Sequence, residues 1–213
     1  MFDRIQAQTR PADRDRTPCR EWQRRALLTA ALGLWAAGGT AGAAKADALS
    51  LAFRDKTFLH RWSRAGQHEF TPAAETDLKR WNDMLTFNVH ASVRTGEQLA
   101  QVANQVLGNY QRHGKVLQTR SVPRTPARPA EHLIVAVLGT PDLLEATFAR
   151  CLLREDLGLV AVVSHRIYGQ AAGPAMSRWL AAQGQPTEEA LMGWAALPSP
   201  LVLNRMPTPS GVA

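Results

Sequence analysis

The sequence predicts an α+β fold, a mostly antiparallel sheet with one long helix packed on it and two short C-terminal helices. Three observations carry that expectation. Strand-like runs follow one another through links too short for a crossover, which makes neighbours antiparallel. One segment, from Thr95 to Gly114, has a sustained helical period. Helical spacing then returns only after Pro174.

Taken in order, Leu49–Phe53 and Thr57–Trp62 read as two strands joined through Arg54-Asp55-Lys56, and Gln67–Phe70 extends the same sheet. Thr71-Pro72 has the form of an N-cap followed by proline at the first helical position, so a short helix is expected to about Arg80. From Met84 to His90 the pattern alternates. Leu85, Phe87 and Val89 share one face and Thr86, Asn88 and His90 the other, the mark of a half-buried strand.

Thr95 caps the long helix, where Leu99, Val102, Ala103, Val106, Leu107 and Tyr110 recur on one face. Gly114 stands where a left-handed C-terminal cap is expected. A strand over Lys115–Val122 follows, then the three prolines of 123–129, which cannot sit within a sheet and read as a loop. His132–Leu138 is apolar enough for a strand buried on both faces. Asp142–Leu153 reads as a brief helical turn leading into a hairpin with Leu159–Tyr168. Pro174–Gln183 and Thr187–Trp194 read as two helices separated at Gly184. The proline-rich end, 198–213, is expected to be disordered.

The domain plan is therefore an export signal over 1–46, one domain over 47–197, and a tail. Arg20, Arg24 and Arg25 precede an uncharged stretch from Ala26 to Ala44, and Ala44-Lys45-Ala46 offers a small-residue cleavage site after Ala46. The segment Gln23-Arg24-Arg25-Ala26-Leu27-Leu28-Thr29 resembles a bacterial twin-arginine signal. That resemblance implies recognition through Arg24 and Arg25 by the export translocase and a periplasmic or secreted mature protein. The alternative is an uncleaved anchor: 19 uncharged residues over 26–44, rising about 1.5 Å each, nearly match a bilayer core. A membrane partner is expected only in that case.

Charge points the same way. The chain carries 25 Lys+Arg against 18 Asp+Glu, but residues 1–46 hold 8 of the former and 4 of the latter, so 47–213 has a net charge of +3. No basic cluster marks a single element, and no nucleic-acid partner is expected. Cys151 is the one cysteine beyond residue 46, so an internal disulfide is excluded there, and its leucine neighbours favour burial.

No motif specifies a reaction. Phosphate-binding glycine loops and the G-x-S-x-G elbow are absent. Six histidines, at 60, 68, 90, 113, 132 and 165, show no metal-ligand spacing. Four residues are candidates for ligand binding. Arg166 and Tyr168 share a strand face and together suit an anionic group, unless Arg166 simply pairs with a carboxylate. His165, beside Ser164, points to the opposite face, which precludes a Ser–His pair within one strand. His60 lies between Phe58 and Trp62 and is expected to be half-buried, with contact to a flat group such as haem as the functional reading. Cofactors and catalytic residues stay unassigned. The expectation is an exported, non-catalytic module that binds a small ligand or a protein. The alternatives are a periplasmic hydrolase whose site assembles from distant segments, and a metal- or haem-binding protein.

Overall fold

The computed structural model describes residues 49–126, 128–140 and 142–207. The signal segment, Arg24, Arg25 and the Ala44–Ala46 site lie outside the described residues.

Eight strands form one sheet in which every neighbouring pair is antiparallel. In chain order they are β1 (Ser50–Phe53), β2 (Lys56–Arg64), β3 (Gln67–Pro72), β4 (Asp83–His90), β5 (Gly114–Val122), β6 (Glu131–Thr140), β7 (Leu143–Arg154) and β8 (Leu157–Tyr168). In space the order is β1-β2-β3-β4-β8-β7-β6-β5. The helices are α1 (Gly96–His113), α2 (Ala172–Met192) and α3 (Pro200–Leu203). The expected α+β class and antiparallel pairing are therefore present, with strands dominating.

Alternation along the strands sends residues to two cores. On β8, Leu159, Ala161 and Val163 join Phe58, Phe70, Phe87 and Phe148 in a core that α2 closes through Met176 and Leu191. Val160 and Val162 point the other way, to a core with Leu99, Val102 and Tyr110 of α1. α1 packs over β5, β6 and β7, and α2 over β7 and β8. Cys151 is fully buried in the α1 core, as its neighbours suggested, and burial pushes its thiol up to about 12.

Thr95 caps α1 as expected, accepting from the Gln98 amide while the Gln98 side chain accepts from the Thr95 amide, a reciprocal capping box. The helix C-terminus differs from expectation. Gly114 is extended rather than left-handed, because β5 starts there without a turn. Glycine is required for a different reason: a Cβ at 114 would sit 2.1 Å from the Val137 carbonyl oxygen and 2.8 Å from Leu138 Cα. In the β7–β8 turn, Glu155 and Asp156 both have positive φ, 51° and 58°, which suits the right-handed twist of a tight hairpin.

Four further expectations are overturned. The helix foreseen from Thr71 is absent: β3 runs through Pro72, and turns lead to β4. Thr71 is wholly buried, and its hydroxyl donates to the Glu75 carbonyl and accepts from Arg61. The Thr71-Pro72 pair therefore serves the strand end rather than a helix. The helical turn foreseen after Asp142 is strand from Leu143, because its register with β6 continues without a break. The two short C-terminal helices are one helix of 21 residues, α2, which passes through Gly184 and Pro186. A tertiary clamp spans that weak stretch: Arg54 donates to Gln183 Oε1 (2.9 Å) and Thr187 Oγ1 (3.0 Å), one turn apart on either side of Gly184. At the far sheet edge Arg120 of β5 pairs with the next residue, Glu188, at 2.9 Å. Both edges of the sheet thus reach the same turn of α2. Finally, the tail foreseen as disordered from 198 contains α3, capped by Ser199, with Leu197 and Leu203 buried in the α2 core.

Two buried ion pairs hold the layers. Arg150 of β7 donates to Glu131 at 2.9 Å and to the carbonyls of Leu191 (2.9 Å) and Trp194 (3.4 Å). It supplies the cation that the last turn of α2 lacks, where helix carbonyls carry partial negative charge. On the α1 side, Arg166 pairs with Glu145 at 2.7 Å.

Candidate functional site

The antiparallel register of β4 and β8 sets Asp83 directly opposite His165, so their side chains emerge on the same face, toward α2. His165 Nδ1 lies 2.8 Å from Asp83 Oδ1, and Lys56 Nζ lies 2.5 Å from Asp83 Oδ2. The His165 ring is stacked on Trp179 of α2, with centroids 4.2 Å apart and planes 4° from parallel. These residues line a cleft of about 330 Å³, into which the β1–β2 turn contributes Arg54 and Asp55. Phe53, Phe58 and Val163 form its apolar wall. A volume of that order matches a small organic molecule.

The electrostatics follow from the pairing. Burial raises the Asp83 pKa, but the hydrogen bonds from His165 and Lys56, with their charges, outweigh it and hold the carboxyl below its ordinary value. Burial lowers the Lys56 pKa, and the bond to Asp83 with the nearby carboxylates of Asp55 and Glu75 more than compensates, so its ammonium is held above its ordinary value. An ionised Asp83 can only accept, so the proton between it and His165 resides on Nδ1. In the neutral imidazole the lone pair is then on Nε2. That is the tautomer of a general base, oriented by a carboxylate. The hydroxyl in the cleft, that of Thr187, accepts from Arg54.

The four candidates from the sequence do not form one site. His165 lies in the cleft. Arg166 and Tyr168 share a face, as expected, but it is the opposite one. There Arg166 is bound to Glu145 and its guanidinium lies over the Trp81 ring at 3.8 Å, so the carboxylate pair prevails over the anion grip. Tyr168 Oη donates to the Trp81 carbonyl (2.7 Å) and accepts from the Trp81 amide (3.1 Å), pinning the loop before β4. His60 lies apart, half-buried as expected, 5.3 Å from the Phe70 ring and with Nε2 at 2.7 Å from Ser63 Oγ.

The same Ser63 oxygen lies 2.7 Å from His68 Nδ1, making a chain of His60, Ser63 and His68. His68 is 3% exposed, and its Nε2 is buried with no partner among the described residues. Burial, with the neighbouring His60, lowers its pKa to about 4. Among the described residues no group of three His, Cys, Asp or Glu side chains is placed to hold a metal ion. No described helix is long and apolar enough to cross a membrane.

Sequence reasoning missed Asp83, Lys56, Trp179 and the role of the β1–β2 turn. Asp83 lies 82 residues from His165, so only the strand pairing brings them together. The charged run Arg54-Asp55-Lys56 was the available signal, since a two-residue hairpin turn needs none of those side chains for its own geometry.

No family model matches this chain, and no curated protein matches it. Among solved structures it is similar to that of the Ran-binding protein Mog1p of Saccharomyces cerevisiae. The identity is 13%, over 70% of this chain and 82% of that one, with a TM-score of 0.35. A likeness of that size assigns neither family nor partner.

Proposed function

We propose that the domain from residue 47 onward is an exported, non-catalytic module that binds a small ligand in the cleft between the β1–β2 turn, β4, β8 and α2. One observation carries the reading: an aromatic and apolar wall meets fixed charges of both signs in a cleft whose hydroxyl group, on Thr187, is engaged by Arg54. Such a mixture of apolar surface and a few oriented polar groups is the usual composition of a ligand site. Screening a panel of small molecules by amide chemical shifts tests it. Shifts clustered at Val163, His165 and Trp179, lost in Trp179→Ala, are expected; a panel that leaves those residues unmoved refutes it. For the address, replacing Arg24-Arg25 with Lys-Lys is expected to leave the protein in the cytoplasm, as measured by cell fractionation. Unchanged export of that variant rejects the twin-arginine route.

The Asp83–His165 bond favours a second reading, a hydrolase using His165 as general base toward water. Turnover of p-nitrophenyl acetate that disappears in His165→Ala and persists in Ser63→Ala would select it over the binding module.

A further inference from the structure

We infer that the cleft takes a small zwitterion with a large apolar side chain, that is, a free α-amino acid of the phenylalanine or leucine type. The inference rests on the binding reading above and names the ligand class for the same cleft. Its charges divide into an engaged pair and an available pair. Asp83 is saturated by His165 and Lys56, one on each carboxylate oxygen. Arg54 and Asp55, adjacent in the β1–β2 turn, are both exposed and both line the cleft. Arg54 donates only to the neutral oxygens of Thr187 and Gln183, and among the described residues no carboxylate lies at ion-pair distance from it.

A guanidinium has five N–H donors, so the two bonds to α2 hold Arg54 in place and leave donors for a ligand carboxylate. The Asp55 carboxylate likewise has no hydrogen bond or ion pair among the described residues, and Lys56 beside it is already bound to Asp83. The turn therefore offers one fixed cation and one anion side by side. A ligand with a single charge would satisfy one of them and be repelled by the other. A zwitterion satisfies both, and its side chain covers Phe53, Phe58 and Val163. The size of the cleft, about 330 Å³, suits a molecule of this kind.

Three probes with one apolar body separate the outcomes. L-phenylalanine carries both charges, 3-phenylpropanoate only the carboxylate, and 2-phenylethylamine only the ammonium. Each is titrated into the full chain, following amide shifts at Val163, His165 and Trp179. Phenylalanine is expected to bind about tenfold or more tightly than either analogue, the factor for one charged hydrogen bond. Asp55→Asn should narrow the gap to 3-phenylpropanoate, and Arg54→Gln the gap to 2-phenylethylamine. A singly charged analogue that binds as tightly as phenylalanine overturns the ligand class and leaves the cleft as a binding site. If none of the three moves the cleft residues, the ligand class falls, and the small-molecule panel above separately decides the binding reading.

Discussion

Replacing Arg150 with methionine should destabilise the domain far more than the side chain's volume explains. Arg150 and Glu131 are 7% and 6% exposed, and their bond at 2.9 Å is sealed beneath the end of α2. The substitution leaves the Glu131 carboxylate buried without its partner, at a cost of about 3–5 kcal/mol. The Leu191 and Trp194 carbonyls also lose a donor, adding about 1 kcal/mol each at most where water does not replace it. Removing both charges, as Arg150→Met with Glu131→Leu, avoids the unpaired carboxylate and should cost only about 1–2 kcal/mol, since a packed apolar pair often equals a buried ion pair. Urea unfolding of the full chain, followed by tryptophan fluorescence, measures Arg150→Met, Glu131→Leu and the double variant. The double-mutant cycle should give a coupling of about 2 kcal/mol or more. The reasoning fails if Arg150→Met costs under about 1 kcal/mol, or if the double variant is as unstable as the single one. Either result would mean that water reaches Glu131 and that the pair does not anchor α2.

Acid should weaken the fold before its carboxylates protonate. His68 has a folded pKa of about 4, below the unfolded value near 6.5, so the unfolded chain binds the proton more readily. Its contribution is complete above pH 6.5, falls between 6.5 and 4 by roughly 3 kcal/mol at most, and levels off below; urea midpoints across that range measure it, and a flat profile refutes it. Gly114→Ala should destabilise by about 3 kcal/mol or more, since the added methyl meets the Val137 and Leu138 backbone and no side chain can rotate away; thermal unfolding reads this. Cys151 should resist Ellman's reagent in the native chain and react fully in denaturant, because its thiol is buried and held near pKa 12.

Much of the sheet could be read from alternation, because a strand with one face on a core and the other partly exposed repeats every second residue, while strands covered on both faces read as continuous apolar runs. Leu85 and Phe87 on β4 did so, and the capped, periodic α1 was equally legible. What failed was what depended on distant partners. Gly184 and Pro186 are local signals for a helix break, and α2 runs through them with Arg54, more than 120 residues earlier, bridging the stretch. Leu143–Arg154 contains no helix because β8 pairs with it along its whole length and β6 from Leu143 to Cys151, overriding the helical turn expected after Asp142.

The candidate site divides along the same line. Parity on β8 was enough to separate His165 from Arg166 and Tyr168, but parity gives a face and not a partner. On one face the register delivers Glu145 to Arg166 and consumes its charge. On the other it delivers Asp83 to His165, and α2 adds Trp179 behind the ring. The residue that looked most like an anion receptor is thereby structural, and the free cationic function passes to Arg54, in a turn that alternation cannot assess. That assignment also explains why the turn is charged at all. Arg54 has φ of 53°, a conformation in which glycine or asparagine would be less strained, so its side-chain contacts offset a backbone cost. Two of its bonds to α2 account for part of that contribution. A glutamine at 54 reaches less far and carries no charge, so the loss of α2 anchoring and the loss of carboxylate affinity in Arg54→Gln can be separated by comparing unfolding with titration of the zwitterion.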